Sequence, residues 1–302
     1  MKKTFYSNGK LLITSEYLVL DGAIALALPT KFGQDLVVEN GSNLQINWKS
    51  YDSDKTLWFD QNILFSEIKN QLLTNDNLIK DTLIKILHQA YLKNKNFIEL
   101  SKGYNIVTNL SFPRNWGLGT SSTLINNIAQ WLKIDAFELL QDSFGGSGYD
   151  IACAQNDTPI LYHLENQKAI VKKIDYCPEF VKNIYFVYLN KKQNSREAIE
   201  NYRKKNISRQ VISDINKITY DIIDSKTLDS FGISINNHES LLSIILETET
   251  IKKQLFADFE GSIKSLGAWG GDFIMVASKS NPAEYFRKKG YHTILNYTEI
   301  IL

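Results

Sequence analysis

The residues with the means to do chemistry sit in three glycine-containing turns and beside one lysine. The first turn is Pro113-Arg114-Asn115-Trp116-Gly117-Leu118-Gly119-Thr120-Ser121-Ser122-Thr123, which joins a strand-like pattern to a helical one. Its two glycines let backbone approach a ligand closely, and a helix starting after them offers unpaired N–H groups and a positive dipole end. The hydroxyls of Thr120, Ser121 and Ser122 can cap that helix, donate to phosphate oxygens or reach a Mg²⁺ ion. No lysine follows the second glycine, so this is not a Walker A loop. Taken alone it also reads as an ordinary capped strand-to-helix turn.

The second turn, Phe144-Gly145-Gly146-Ser147-Gly148-Tyr149-Asp150, delivers a carboxylate to the start of the apolar run 151–154. An acid there can accept a proton or hold a metal, or simply cap a short helix. The third, Gly267-Ala268-Trp269-Gly270-Gly271-Asp272, has more glycine than one helix C-cap needs. Lys10, after Asn8-Gly9, is the one cation in an apolar β-type run and is followed by Glu16-Tyr17-Leu18-Val19-Leu20. Polyanions need many backbone donors, so these turns with one lysine and one aspartate jointly suggest a phosphate site.

Composition narrows the field. The 302 residues suggest two domains or lobes at roughly 150 residues each. Lys plus Arg (34) nearly balances Asp plus Glu (33), so no bulk field favours nucleic acid or acidic lipid. No uncharged apolar run is long enough to span a bilayer, and the run 11–20 is broken by Thr14, Ser15 and Glu16. Two cysteines and four scattered histidines make neither a disulfide framework nor a metal-ligand spacing. The expectation is a cytoplasmic protein with neither nucleic acid nor membrane as partner.

The elements that must position these turns follow from periodicity. Runs at 10–14 and 17–20 read as strand-like, 23–28 as a further apolar segment after a turn at 21–22, and 44–48 with 56–59 as a hairpin. Helical spacing holds over 77–93, alternation over 104–112 and a second helix over 124–132. Beyond a break near 163–168, a strand is expected at 184–189, a helix from 195, helices over most of 207–256 and a strand at 273–277. Mixed elements without regular βαβ alternation favour an α+β class.

In this order the motifs resemble those of the GHMP kinases, the family of galactokinases, homoserine kinases, mevalonate kinases and phosphomevalonate kinases. Residues 113–121 are similar to the family's central Pro-x-x-x-Gly-Leu-Gly-Ser-Ser, with Thr120 for the first serine. Gly9-Lys10 with Glu16-Tyr17-Leu18-Val19-Leu20 resembles the N-terminal motif of the mevalonate-pathway members, Asn8 replacing the usual proline. Ser147-Gly148-Tyr149-Asp150 resembles the Ser-Gly-x-Asp that carries the catalytic aspartate, and 264–271 the third motif, with Trp269 for a glycine. The run Gly-Tyr-Asp-Ile-Ala at 148–152 also resembles a subgroup named after it.

The resemblance implies a ribosomal protein S5 domain 2-like lobe, 1–165, and a ferredoxin-like lobe, 166–302, with ATP and the acceptor between them. It implies that Gly117, Leu118, Gly119, Thr120, Ser121 and Ser122 cradle the nucleotide phosphates and that Ser121 reaches Mg²⁺; Glu138 is a candidate second ligand by its spacing to Asp150, with no motif behind it. Lys10 would face the acceptor and Asp150 would act as base or electrostatic partner. Glu16, Ser147, Arg196, Gly270 and Gly271 are the candidate substrate contacts. A homodimer is left open. Trp269 could narrow the site or stack on the substrate, and a member silenced by that indole is the competing reading.

The acceptor is weighed on chemistry. An alcohol must lose a proton during attack, whereas a phosphomonoester, with a second pKa of about 6, needs cations more than a base. Lys191, Lys192 and Arg196 around the turn 190–195 could clamp a phosphate or be a solvated basic turn. Asp272 after the glycine pair also resembles phosphomevalonate kinases. Phosphomevalonate is therefore placed ahead of mevalonate, with homoserine or a sugar as alternatives. Gly119, where diphosphomevalonate decarboxylases usually carry alanine, argues against that relative.

Overall fold

The computed structural model describes residues 2–191, 195–267, 269 and 271–302, with only the backbone of 195 and 196. In chain order its strands are β1 (Lys3–Leu12), β2 (Ala25–Asn40), β3 (Gln45–Tyr51), β4 (Leu57–Leu64), β5 (Tyr104–Leu110), β6 (Ile160–Glu165), β7 (Lys168–Lys173), β8 (Ile184–Tyr188), β9 (Ser262–Ser265), β10 (Phe273–Ala277) and β11 (Ile294–Asn296). Its helices are α1 (Phe65–Lys69), α2 (Leu78–Lys93), α3 (Asn96–Glu99), α4 (Thr120–Leu132), α5 (Ala136–Ser143), α6 (Tyr149–Ala154), α7 (Ser195–Tyr202), α8 (Arg209–Ile223), α9 (Leu228–Leu246), α10 (Ile251–Leu255), α11 (Ala283–Lys288) and α12 (Tyr297–Ile300). Two compact units form. One comprises Met1–Gly9, Phe32–Arg114 and Leu118–Gln155, the other Lys10–Lys31, Asn115–Gly117 and Asn156–Leu302. This partition interleaves along the chain, unlike the consecutive lobes 1–165 and 166–302.

The first unit is a sheet covered by helices. Strand β3 pairs antiparallel with β4 and parallel with β5, and β5 pairs antiparallel with the second half of β2. Alternation decides the faces: Ile46 and Trp48 on β3 and Ile106 on β5 are buried, while Asn47 is half-buried and Lys49 exposed. The buried side chains meet Leu83, Ile84 and Leu87 of α2 and Ile125 and Ile128 of α4. Asn77 starts α2 by accepting the Lys80 N–H, so the helix begins where the apolar period begins.

In the second unit the first half of β2 pairs with β6, which forms a hairpin with β7. A separate antiparallel sheet has the order β11-β8-β10-β9. Helices α7 to α10 connect β8 to β9, and α11 connects β10 to β11, giving a ferredoxin-like βαββαβ run with an enlarged first crossover. Strands β8, β9 and β10 are buried along their whole length, so the apolar runs of β8 and β10 show no alternation, and β9 buries polar Ser262, Lys264 and Ser265 with Ile263.

Two expectations are corrected. The run 17–20 is not a strand but leads into a 3-10 turn, Leu18–Asp21, closed by Gly22 at φ 88°. Leu18, Val19 and Leu20 are all buried, and a continuous apolar run carries no period to separate helix from strand. Helix α4 starts at Thr120 rather than 124, because its first turn is Thr and Ser and lies outside the apolar pattern.

Candidate active site

In the first unit, α4 presents its N-terminus through Gly119, an N-cap at φ 96° that has no side chain with which to cap the helix. The N-cap residue therefore contributes no side-chain oxygen to the first-turn N–H groups. Ser121 is exposed, whereas Ser122 is buried and its hydroxyl donates to the Gly119 carbonyl at 2.9 Å. Of the two serines, Ser121 is thus the one whose hydroxyl is presented. Leu118 is buried and anchors the turn.

A buried polar ladder fixes this helix, and the sequence reading missed it. The Ser7 hydroxyl donates to Asn127 Oδ1 (2.8 Å), Asn126 Nδ2 donates to Ser7 Oγ (2.8 Å), and Thr123 Oγ1 donates to Gln34 Oε1 (2.8 Å). Asn127 Nδ2 adds a bond to the Gln34 carbonyl at 2.9 Å. These groups span more than 80 residues of chain, so no local pattern reveals them. Fully paired buried amides hold one arrangement strongly, since any rotation leaves a polar group unsatisfied.

Asp150 occupies the second position of α6, behind an N-cap at Gly148 (φ 85°), and its Oδ1 accepts the Ile151 N–H at 3.0 Å. Helix α6 packs on α4, and Gln155 Nε2 at its end donates to Asn126 Oδ1 at 3.0 Å. The aspartate and the phosphate-type helix end thus stand on two elements tied through Asn126. Ser147 is buried beside them in sequence. Glu138, the candidate second cation ligand, lies on α5 with its carboxylate 2.9 Å from Lys93 Nζ, which also holds Asp142. Among the described residues no cluster of three His, Cys, Asp or Glu side chains forms a metal cage.

In the second unit the N-terminal lysine meets the central loop. Lys10 Nζ donates to the Gly117 carbonyl at 2.9 Å across 107 positions. Trp116 packs edge-on to Phe273 (5.4 Å between ring centroids), and Tyr188, 5.3 Å from Phe273, donates its hydroxyl to the Asn115 carbonyl at 3.1 Å. These rings pin residues 115–117 to the ends of β8 and β10. Burial, followed by the Asp272 charge, raises the Tyr188 pKa and keeps this phenol protonated. Asp272 is close enough that a Cβ on Gly117 would lie 2.6 Å from its Cγ. Its backbone is tied by Asp272 N–H to the Lys191 carbonyl (2.6 Å) and Leu189 N–H to the Asp272 carbonyl (2.7 Å).

Glu16 does not face solvent. It is 1% exposed and ion-paired with Lys264, itself 0% exposed. The Glu16 expected from sequence to contact substrate is thus engaged, through Oε1, by a lysine of the protein itself. Gly271 is buried; Gly270 lies outside the described residues, as do Lys192 and the side chain of Arg196. Lys191 is described and exposed.

Trp269 also turns inward. Its indole packs with Tyr17, Leu18, Tyr202 and Leu242 and is 8% exposed. Its backbone sits at φ 41°, where the family pattern has glycine. Trp269→Gly should therefore destabilise the protein by about 3 kcal/mol: lost burial of about 3–5 kcal/mol, offset by about 1 kcal/mol of relieved backbone strain. Urea unfolding measures this, and an unchanged midpoint would show that the indole contributes nothing to the core.

No family model matches this sequence, and no curated protein matches it either. Solved structures do match in fold. Methanococcus jannaschii mevalonate kinase superposes with a TM-score of 0.71 at 18% identity, covering 98% of each chain. Streptococcus pneumoniae phosphomevalonate kinase, solved with phosphomevalonate and AMPPNP, gives 0.68 at 14% identity over 95% of each chain. Lactococcus lactis galactokinase with galactose gives 0.63 at 14% identity over 95% of this chain and 88% of that one. The α+β fold implied by the motifs is the fold found.

Proposed function

We propose that this chain is an ATP-dependent small-molecule kinase of the GHMP type. The observation that carries the reading is the Lys10–Gly117 bond, which joins the N-terminal Gly-Lys motif to the central loop in a chain with this fold. Backbone N–H groups of 117–122 would bind the triphosphate, with the dipole of α4 adding positive potential. Lys10 would neutralise charge developing on the transferred phosphoryl group, and Asp150 would take the proton of an alcohol acceptor or orient it.

Ser121, exposed in the first turn of α4, would supply an oxygen donor of the kind Mg²⁺ prefers. When bound, the cation would neutralise phosphate charge. Glu138 is a weaker candidate because Lys93 already engages it.

For the acceptor, the reading favours phosphomevalonate ahead of mevalonate, placing the protein in the mevalonate route to isoprenoids. Asp272 after the glycine pair supports it, as does exposed Lys191 in the segment that follows β8. Homoserine and sugars remain in the comparison because a galactokinase shares the fold. The buried position of Trp269 removes the specific motive for a silenced, binding-only member. The test is ADP release from purified protein with Mg²⁺, ATP and a panel of mevalonate, phosphomevalonate, homoserine and galactose. Turnover of one acceptor is expected; nucleotide binding with turnover of none would overturn the assignment.

A further inference from the structure

A cluster of ionisable groups lies buried within the second unit, and the proposed phosphotransfer gives none of them a step. Lys264 on β9 is ion-paired to Glu16, donates to the Ser265 carbonyl at 2.9 Å, and lies 3.6 Å from Glu239 on α9. Glu239 accepts the Ser265 hydroxyl at 3.0 Å. His238, also on α9, accepts the Ser15 N–H at Nε2 (2.9 Å), which places its proton on Nδ1 and leaves the ring neutral. None of Glu16, Lys264, His238 and Glu239 is more than 3% exposed. Buried ion pairs are poor stabilisers compared with apolar packing of the same volume. Their use here calls for another explanation.

The backbone around Glu16 gives one. Ser15 and Tyr17, its two neighbours, adopt φ of 63° and 64°, a region that side-chain-bearing residues seldom occupy. The segment is held there by Ser15, whose hydroxyl donates to the Ile24 carbonyl at 2.6 Å, and by His238. Strained backbone persists only where its surroundings over-determine it.

Two arms leave this cluster and come together again. From Glu16 the chain runs back to Lys10 on β1, whose ammonium donates to the Gly117 carbonyl. From Lys264 the β9–β10 hairpin runs on, Lys264 facing Met275 and the Leu266 N–H bonded to the Phe273 carbonyl, to Asp272 against Gly117. Gly117 is thus contacted from both arms, and the Glu16–Lys264 bridge closes the frame at its other end. We propose that Glu16 and Lys264 are positioning residues whose buried bridge sets where Lys10 and Asp272 stand about Gly117. This rests on the phosphotransfer reading for its kinetic consequence, though not for its structural one.

The bridge also has a protonation signature. Burial, against the opposing pull of Lys264, raises Glu16 from its ordinary 4.5 to about 7. Burial likewise raises Glu239 and lowers His238, so the groups facing Glu16 are a cationic lysine, a second carboxyl and a neutral imidazole. Below pH 7 Glu16 takes up a proton and the bridge loses its charge pairing.

The experiment compares wild type with Glu16→Gln, Lys264→Met and the doubly neutral Glu16→Gln/Lys264→Met, which leaves neither charge of the pair alone. Each is measured for urea unfolding, Mg·ATP affinity, kcat and KM across pH 5.5–8.5, and amide exchange of peptides covering 115–118 and 267–273. In folded variants kcat should fall by about 10²-fold, as expected for a misplacement near 1 Å, with Mg·ATP affinity within about threefold. Exchange in those two peptides should rise about tenfold. Wild-type kcat should drop as pH falls below about 7, and the Glu16→Gln profile should lose that limb. Folded variants with wild-type kcat and exchange overturn the proposal. So does failure of all three to fold, which would make the bridge a requirement of folding alone. If wild type itself transfers no phosphate, the kinase reading falls, and the exchange data alone decide the bridge.

Discussion

Asp150→Asn is expected to lower kcat by about 10³-fold while leaving Mg·ATP affinity within about threefold. Asparagine has nearly the same shape and can still accept the Ile151 N–H through its amide oxygen, so α6 keeps its start. What it loses is the negative charge and the capacity to take a proton. The size of the effect reports on the acceptor. An alcohol needs its proton removed as it attacks, so the full loss applies. A phosphomonoester with a second pKa of about 6 is mostly ionised at neutral pH, and the loss should shrink towards tenfold. Steady-state kinetics with the acceptor found in the panel, together with nucleotide titration, makes the measurement. Equal losses in turnover and nucleotide affinity would move Asp150 from the acceptor side to nucleotide or cation binding.

Gly117→Ala should reduce kcat/KM by at least about 10²-fold. Two independent penalties meet at this residue. Its φ of 72° is one that alanine adopts with strain, and the added methyl would stand 2.6–2.8 Å from the Asp272 carboxyl atoms. Either the loop or Asp272 must move, and the Gly117 carbonyl that receives Lys10 moves with the loop. Adding Asp272→Ala removes the clash and leaves the strain. The double variant should therefore be less impaired than the two single effects summed, which a double-mutant cycle reads directly. Wild-type kcat/KM in Gly117→Ala would mean that the loop tolerates displacement and that the geometry at this residue is irrelevant to turnover.

Local pattern made part of this legible. The hairpin of β3 and β4 shows in the alternation of Ile46 and Trp48, and α2 in the spacing of Leu83, Ile84, Leu87 and Ala90, because each period maps onto one buried face. The glycine turns were readable because positive φ at Gly117, Gly119 and Gly148 leaves few other residues available. What stayed hidden depends on pairing across long stretches of chain. Glu16 sits in a motif that suggests substrate contact, but its partner Lys264 lies 248 positions away, so its burial has no local signature. The same holds for Ser7 with Asn127, which fixes the helix that carries Ser121. Trp269 in a glycine-rich turn suggested an indole near the substrate. Only the cluster around Tyr17 and Tyr202 shows that it fills the core instead.

The carbonyl on which Lys10 rests has a consequence for the thermodynamics of loading. A free lysine gives up about 1.5–2 kcal/mol of rotamer freedom when it is fixed, and here that loss falls in folding rather than in association. On the kinase reading, an incoming polyanion would meet an ammonium already in place, which would exchange one oxygen acceptor for another instead of being recruited as a mobile side chain.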